Sequence, residues 1–414
     1  MYSPTVNHPA AQRRRAAERH QQVAWARDRV DSTNRVPPGL FCLIVVALTV
    51  SPHQLTADDR INHITFADKK TKEERTVSGK VLVEAQDGGL LLIGRDGRLW
   101  NVTPEQLKKR DVSDDQFKPL NPEELGRQLQ TELGGNFEVV TTKHYVICSN
   151  AGKRYSQWCG ALFERLFKGF QTHWRKLDLH EPEFPLSAIV FANKTEFAKF
   201  ATSDAGPGVA ESQGYFSIAT NRMVLFDLTA GPNTRPAKTT ADITRRVAAS
   251  PFNAATVVHE ATHQIAFNSG LHTRYADNPL WMTEGMAMYF ETPDLRSRSG
   301  WTTIGRVNKM RLRQFRQSLS KRRQPDALKS LVSSDDRLRD PEQAVASYAE
   351  SWALTYFLIK TKRKYYLEYL KRISQKPRLS WDDSETRLRE FQTVFGDDLQ
   401  KLDRAFLKYI GRLR

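Results

Sequence analysis

The stretch "SPFNAATVVHEATHQIAFNSG" (250–270) carries a helix boundary signal at each end. Ser250 suits the cap, Pro251 suits the first helical position, and Gly270 suits the residue that closes a helix, so the signals predict one helix over 251–268. His259 and His263 fall one turn apart on it with Glu260 adjacent, which puts both imidazoles on one face. In that arrangement two ring nitrogens can hold a Zn2+ ion while the glutamate reaches a water on the metal rather than the metal itself. A catalytic zinc needs a third protein ligand and one open position, so a further donor has to come from elsewhere in the chain.

The segment "NPLWMTEGMAMYFETP" (278–293) supplies a candidate. Asn278 is placed to cap, Pro279 to open and Pro293 to stop a second helix, with Glu284 in its second turn. The linker "SGLHTRYAD" is short enough for the two helices to pack as antiparallel neighbours, which returns Glu284 to His259 and His263. Met282, Met286 and Met288 read as packing residues. His272, in the linker, reads as a solvent-exposed loop residue, and His144 and His173 read as structural. With no CxxC pair, a cysteine zinc site is excluded.

"HEATHQ" followed by "LWMTEGMAMYFE" resembles the gluzincin zinc metallopeptidases, a group that includes thermolysin-like and aminopeptidase N-like enzymes. The second segment is similar to the aminopeptidase version, in which a Trp precedes a Glu-Gly pair. The resemblance implies one Zn2+ per chain held by His259, His263 and Glu284, with Glu260 as general base and a peptide or protein as substrate. It also implies an edge strand before the metal helix, where a peptide adds as a further strand; "QGYFSIATNRMVLFD" (213–227) occupies that place and reads as a hairpin turning near Asn221. An oxyanion donor is implied on a downstream helix, and in "DPEQAVASYAESWALTYFLIK" (340–360) Tyr348 matches best in position, with Tyr356 and the aromatic run 365–369 as competitors. The sequence departs from the family in two places. The substrate-binding motif of aminopeptidase N-like enzymes is not visible, and position 288, where thermolysin-like enzymes place an Asp that orients a ligand His, is Met. Glu291, Asp294 or a backbone carbonyl would have to orient that His.

Around this segment the chain reads as α+β. A leader over 1–57 precedes a small all-β, SH3-like unit with its polar connector over 58–123, and a gluzincin-like unit over 124–414 follows. In "RTVSGKVLVEAQDGGLLLIGRDGRLWNVT" (75–103) short apolar runs are separated by Asp87-Gly88 and Asp96-Gly97, which favour tight hairpin turns, and 104–123 reads as the connector. The larger unit opens with β-rich segments over 136–149, 186–192 and 214–228 and turns helical beyond 250. Cys148 and Cys159 leave two states open, a single disulfide or two buried free thiols.

The formal charge of +16 is spread, with +4 in the first 57 residues and eight basic side chains in "RVNKMRLRQFRQSLSKRR" (306–323). Without the aromatic pattern of an RNA-binding sheet, this run reads as a solvated helix face, and no nucleic-acid partner is expected. The eleven-residue apolar stretch "LFCLIVVALTV" (40–50) falls short of the ~20 needed to cross a bilayer, yet it suits the core of a secretory signal or a short anchor. The expectation is an exported zinc metallopeptidase in the periplasm, at the cell surface or secreted. Two rival readings are a non-catalytic surface-binding protein on a peptidase-like scaffold and a zinc hydrolase of non-peptide substrates.

Overall fold

A computed structural model describes residues 59–414, except 69–71, 232–236, 238, 250, 293, 294, 296–301, 321 and 322. The leader with its apolar run at 40–50, the cap at Ser250, the stop at Pro293 and the alternative Asp294 lie outside the described residues. Among the described residues no helix is long and apolar enough to cross a membrane. They form two compact units, 59–119 and 120–414, and the chain is mixed α+β, with a β-rich amino-terminal part and a helical carboxy-terminal part.

The first unit is one antiparallel sheet of Arg60–Ala67 (β1), Glu74–Glu84 (β2), Leu90–Gly94 (β3), Leu99–Val102 (β4) and Leu107–Gln116 (β5), in the order β4-β3-β2-β1-β5. Its hairpins turn where the Asp-Gly pairs stand, with Gly88 and Gly97 at φ 87° and 81°, a region that glycine enters without steric cost. Much of the expected connector is instead strand β5. Its sequence "LKKRDVSDDQ" lacks apolar alternation because it is an edge strand, held by backbone pairing to β1 with its charged side chains in water.

In the second unit Asn121 and Glu124 form a reciprocal capping box that starts Pro122–Leu133 (α1). Glu138–Thr141 (β6), Tyr145–Ser149 (β7), Lys153–His173 (α2), Leu186–Phe191 (β8), Lys194–Ala205 (α3), Gly214–Phe216 (β9) and Arg222–Phe226 (β10) follow. The sheet order is β6-β7-β8-β10-β9, parallel through β7, β8 and β10 and antiparallel at both edges. The central strands read as unbroken apolar runs because both faces are covered. Ile147, Ala188 and Met223 face a core shared with α2, while Val146, Ile189 and Val224 face a second core with Leu125 and Phe197. Cys148 and Cys159 are free and buried, one in each of these cores, so the disulfide alternative does not hold.

Past β10 the described elements are all helices: Thr240–Ala249 (α4), Pro251–Asn268 (α5), Leu280–Phe290 (α6), Lys309–Ser320 (α7), Ala327–Ser333 (α8), Asp336–Arg339 (α9), Ala344–Thr361 (α10), Arg363–Ser374 (α11), Ser384–Phe395 (α12) and Leu399–Gly411 (α13). Helix α5 closes as expected, with Gly270 at φ 79° and the Leu271 N–H reaching back to the Ala266 carbonyl at 3.1 Å. Helix α6 starts one residue later than the sequence suggests and without a cap from Asn278, whose amide turns to the Thr273 and Ala276 carbonyls. Asp335 takes over that role from outside the helix, accepting from the Leu280 N–H at 2.9 Å. Helix α10 likewise starts at Ala344, beyond Asp340 and Pro341.

Every residue of α6 is buried, and at Gly285 it packs directly against α10. A Cβ there would lie 2.2 Å from Thr355 Oγ1 and 2.6 Å from the Ser351 carbonyl oxygen, and the backbone oxygen has nowhere to go. Gly285→Ala should therefore destabilise the protein by about 1–3 kcal/mol in urea titration, the usual cost of overpacking. Stability equal to wild type would mean that the two helices are free to separate.

Candidate metal centre

The orientation of α5 is set by a row of polar side chains at positions 260, 264 and 268, each one turn from the next. Glu260 accepts from the Phe216 backbone N–H at 2.9 Å. Gln264 donates to the Ser187 and Asn221 carbonyls at 2.9 and 3.0 Å. Asn268 and Asn221 exchange side-chain amide bonds of 2.8 and 2.9 Å. Asn221 sits at φ 59° in the β9–β10 turn, where the sequence places the hairpin turn. The row pins one side of α5 to the sheet edge and rotates His259 and His263 towards α6.

There the donor atoms converge. His259 Nε2 lies 3.0 Å from His263 Nε2 and 3.2 Å from Glu284 Oε2, and His263 Nε2 lies 3.6 Å from Glu284 Oε1. Tetrahedral zinc with ligand bonds of ~2.0–2.1 Å separates its donor atoms by roughly 3.4 Å, so the spacing and the His, His, Glu donor set both fit that ion. All candidate ligand atoms lie within 4.8 Å of one another, and no second such group occurs among the described residues. His259 keeps 8% of its surface exposed while Glu260, His263 and Glu284 keep 2% or less, so the cluster meets solvent at the His259 edge.

Behind His259 stands Glu291, the first alternative raised for orienting a ligand His. Its Oε1 accepts from His259 Nδ1 at 2.8 Å, which leaves Nε2 to face the cluster. Glu291 is itself held by Arg311, through Nη2 at 2.9 Å and Nε at 3.1 Å, and by Asn308 Nδ2 at 2.9 Å. These two residues were not expected. Arg311 belongs to the basic run read as a solvated face, yet it is buried with Leu312 and Phe315 on α7, and Asn308, just before the helix, is buried too. The available signal was helical period: Arg311 falls in register with Leu312 and Phe315, not with the exposed Lys309, Arg313 and Arg316.

Tyr348, on α10, is buried, and its hydroxyl is pushed well above its ordinary value by burial and by the nearby charges of Glu284 and Glu260. Its competitors point elsewhere: Tyr356 packs on Tyr289 and Trp352, Tyr369 on Trp281, and Tyr365 is exposed. His272 is buried against Phe267 rather than exposed, because the tight close of α5 folds the linker back over the helix end. His144 pairs with Glu164 and stacks on Phe167, and His173 packs among Trp174, Tyr289 and Phe290.

Residues 253–380 match a family described as "Protein of unknown function (DUF1570)". The match covers less than a third of the chain and contains His259, Glu260, His263, Glu284, Glu291, Arg311 and Tyr348. No curated protein matches the chain.

The cluster couples folding to pH. Burial opposes charge on His259, but Glu284 and Glu291 outweigh it and raise the imidazole to about 10. Burial likewise pushes Glu284 and Glu291 up, and it is outweighed by the two histidines for Glu284 and by Arg311 and His259 for Glu291, so both carboxyls fall to about 2. The stability contributed by His259 is complete below about 6.5 and lost as pH rises through about 10; that of the carboxyls is complete above about 4.5 and lost as pH falls through about 2. Metal-free protein should therefore melt highest between about pH 4.5 and 6.5, followed by circular dichroism. A melting temperature that climbs steadily from about pH 6.5 to 9.5 contradicts this assignment.

Proposed function

We propose that this chain is a zinc-dependent peptidase of gluzincin type that hydrolyses peptide bonds with a glutamate-activated water. The observation that carries the reading is the convergence of His259 Nε2, His263 Nε2 and the Glu284 carboxylate, with Glu260 one residue along the same helix. A zinc ion held by these three groups supplies Lewis acidity, acidifying a water and polarising a carbonyl. Glu260 removes the proton from the attacking water and then delivers it to the leaving amine. Its bond to the Phe216 N–H keeps its carboxylate aimed and ties it to edge strand β9, where a peptide backbone would pair. The Tyr348 hydroxyl, kept protonated by burial, donates to the developing oxyanion. Glu291 holds the His259 ring in place.

The finer architecture goes with this reading: a gluzincin-like catalytic unit following an SH3-like module, the latter supported by the antiparallel order of β1–β5. The apolar run in the leader supports export, with the substrate met outside the cytoplasm.

Glu260→Gln keeps the side chain's size and an oxygen for the Phe216 N–H, so it should retain metal while hydrolysis of a fluorogenic peptide library falls about 10²–10⁴-fold. Undiminished hydrolysis by that variant sinks the mechanism. Absence of peptide hydrolysis in a zinc-loaded wild-type protein shifts the reading to non-peptide substrates.

A further inference from the structure

Two carboxylates, not one, flank His259: Glu284 Oε2 lies 3.2 Å from its Nε2 and Glu291 Oε1 lies 2.8 Å from its Nδ1. They differ in what else holds them. Four donors fall on the two oxygens of Glu291, namely His259 Nδ1 and Arg311 Nη2 on Oε1, and Arg311 Nε and Asn308 Nδ2 on Oε2. Glu284 Oε1, by contrast, is buried and accepts no hydrogen bond among the described residues. A metal competing for oxygen ligands would find Glu284 available and Glu291 engaged.

Resting on the metal-site reading above, we propose that Arg311, supported by Asn308, is a positioning residue for metal retention: it holds Glu291 as the acceptor that orients His259. The bidentate fork fixes the carboxylate in plane and position, and Asn308 occupies a further lone pair. Because α7 carries Arg311 and Asn308 immediately precedes it, metal affinity depends on a helix that contributes no ligand.

Coulomb's law alone makes the opposite prediction. Removing a buried cation close to the site should favour a divalent metal, whereas loss of the clamp should weaken binding by freeing the His259 ring. A merely structural Arg311 makes a third prediction, a lower melting temperature with unchanged affinity per folded chain.

The test is a competition titration of the full chain with a chromophoric zinc chelator, for wild type, Glu291→Gln, Arg311→Met, Arg311→Lys and the Glu291→Gln/Arg311→Met double variant. The absorption spectrum of each cobalt-loaded protein provides a second readout. Both Glu291→Gln and Arg311→Met should bind zinc about 10–100-fold more weakly, with an altered cobalt spectrum. Arg311→Lys should recover part of the loss, and the double variant should bind no more weakly than Glu291→Gln, because Arg311 acts through Glu291. Zinc affinity in Arg311→Met equal to or tighter than wild type overturns the inference, as does a double variant whose losses add. If Arg311→Met fails to fold, the double variant, which removes both buried charges, decides: affinity no weaker than that of Glu291→Gln supports the clamp, and weaker affinity overturns it. A wild-type protein that takes up no zinc overturns the metal-site reading itself, a result separate from the variant comparison.

Discussion

Two imidazoles and three carboxylates share one buried region around α5 and α6, and the surrounding structure is organised by the cost of keeping their charges out of water. Removing one member of such a set strands the others, and three of them are held from different elements. His259 is backed by the end of α6, Glu291 by α7, Glu260 by β9, and the start of α6 by Asp335 outside the helix. The chemistry of the site and the packing of the helices are in this sense one problem. A helix that is buried nearly all round, as α5 and α6 are, has no solvated face on which to place these groups.

That organisation accounts for what was legible in the sequence. His259, His263 and Glu284 stood out because helix period places them on facing sides of two helices bounded by proline and glycine, and local signals of that kind survive folding. The α+β order and the Asn221 hairpin turn were visible for the same reason. Arg311 and Asn308 were hidden because their partner, Glu291, is twenty and seventeen residues away, just past the end of another helix. Composition made the cluster of cations more conspicuous than the one cation in apolar register. Asp335 capping Leu280 across 55 residues is likewise a tertiary substitution for a cap that local sequence assigned to Asn278. Strand β5 escaped notice because an edge strand carries its information in the backbone rather than in side-chain alternation.

The polar row on α5 links fold to function most directly. Gln264 and Asn268 fasten the helix to the sheet at one end of the row, and Glu260 at the other end uses the same geometry to reach β9. A rigid sheet edge therefore positions both the helix that carries two candidate ligands and the candidate base beside them, as a preorganised site requires.

The central claim is that three side chains on two helices hold a metal. Elemental analysis of the full chain, purified beside its His263→Ala variant after zinc has been offered to both, tests it most directly. About one zinc per chain is expected in the wild type and none above background in the variant, as befits a site of three protein ligands. No zinc in either protein, or equal zinc in both, would contradict it and leave His259, His263 and Glu284 as a buried hydrogen-bonded cluster.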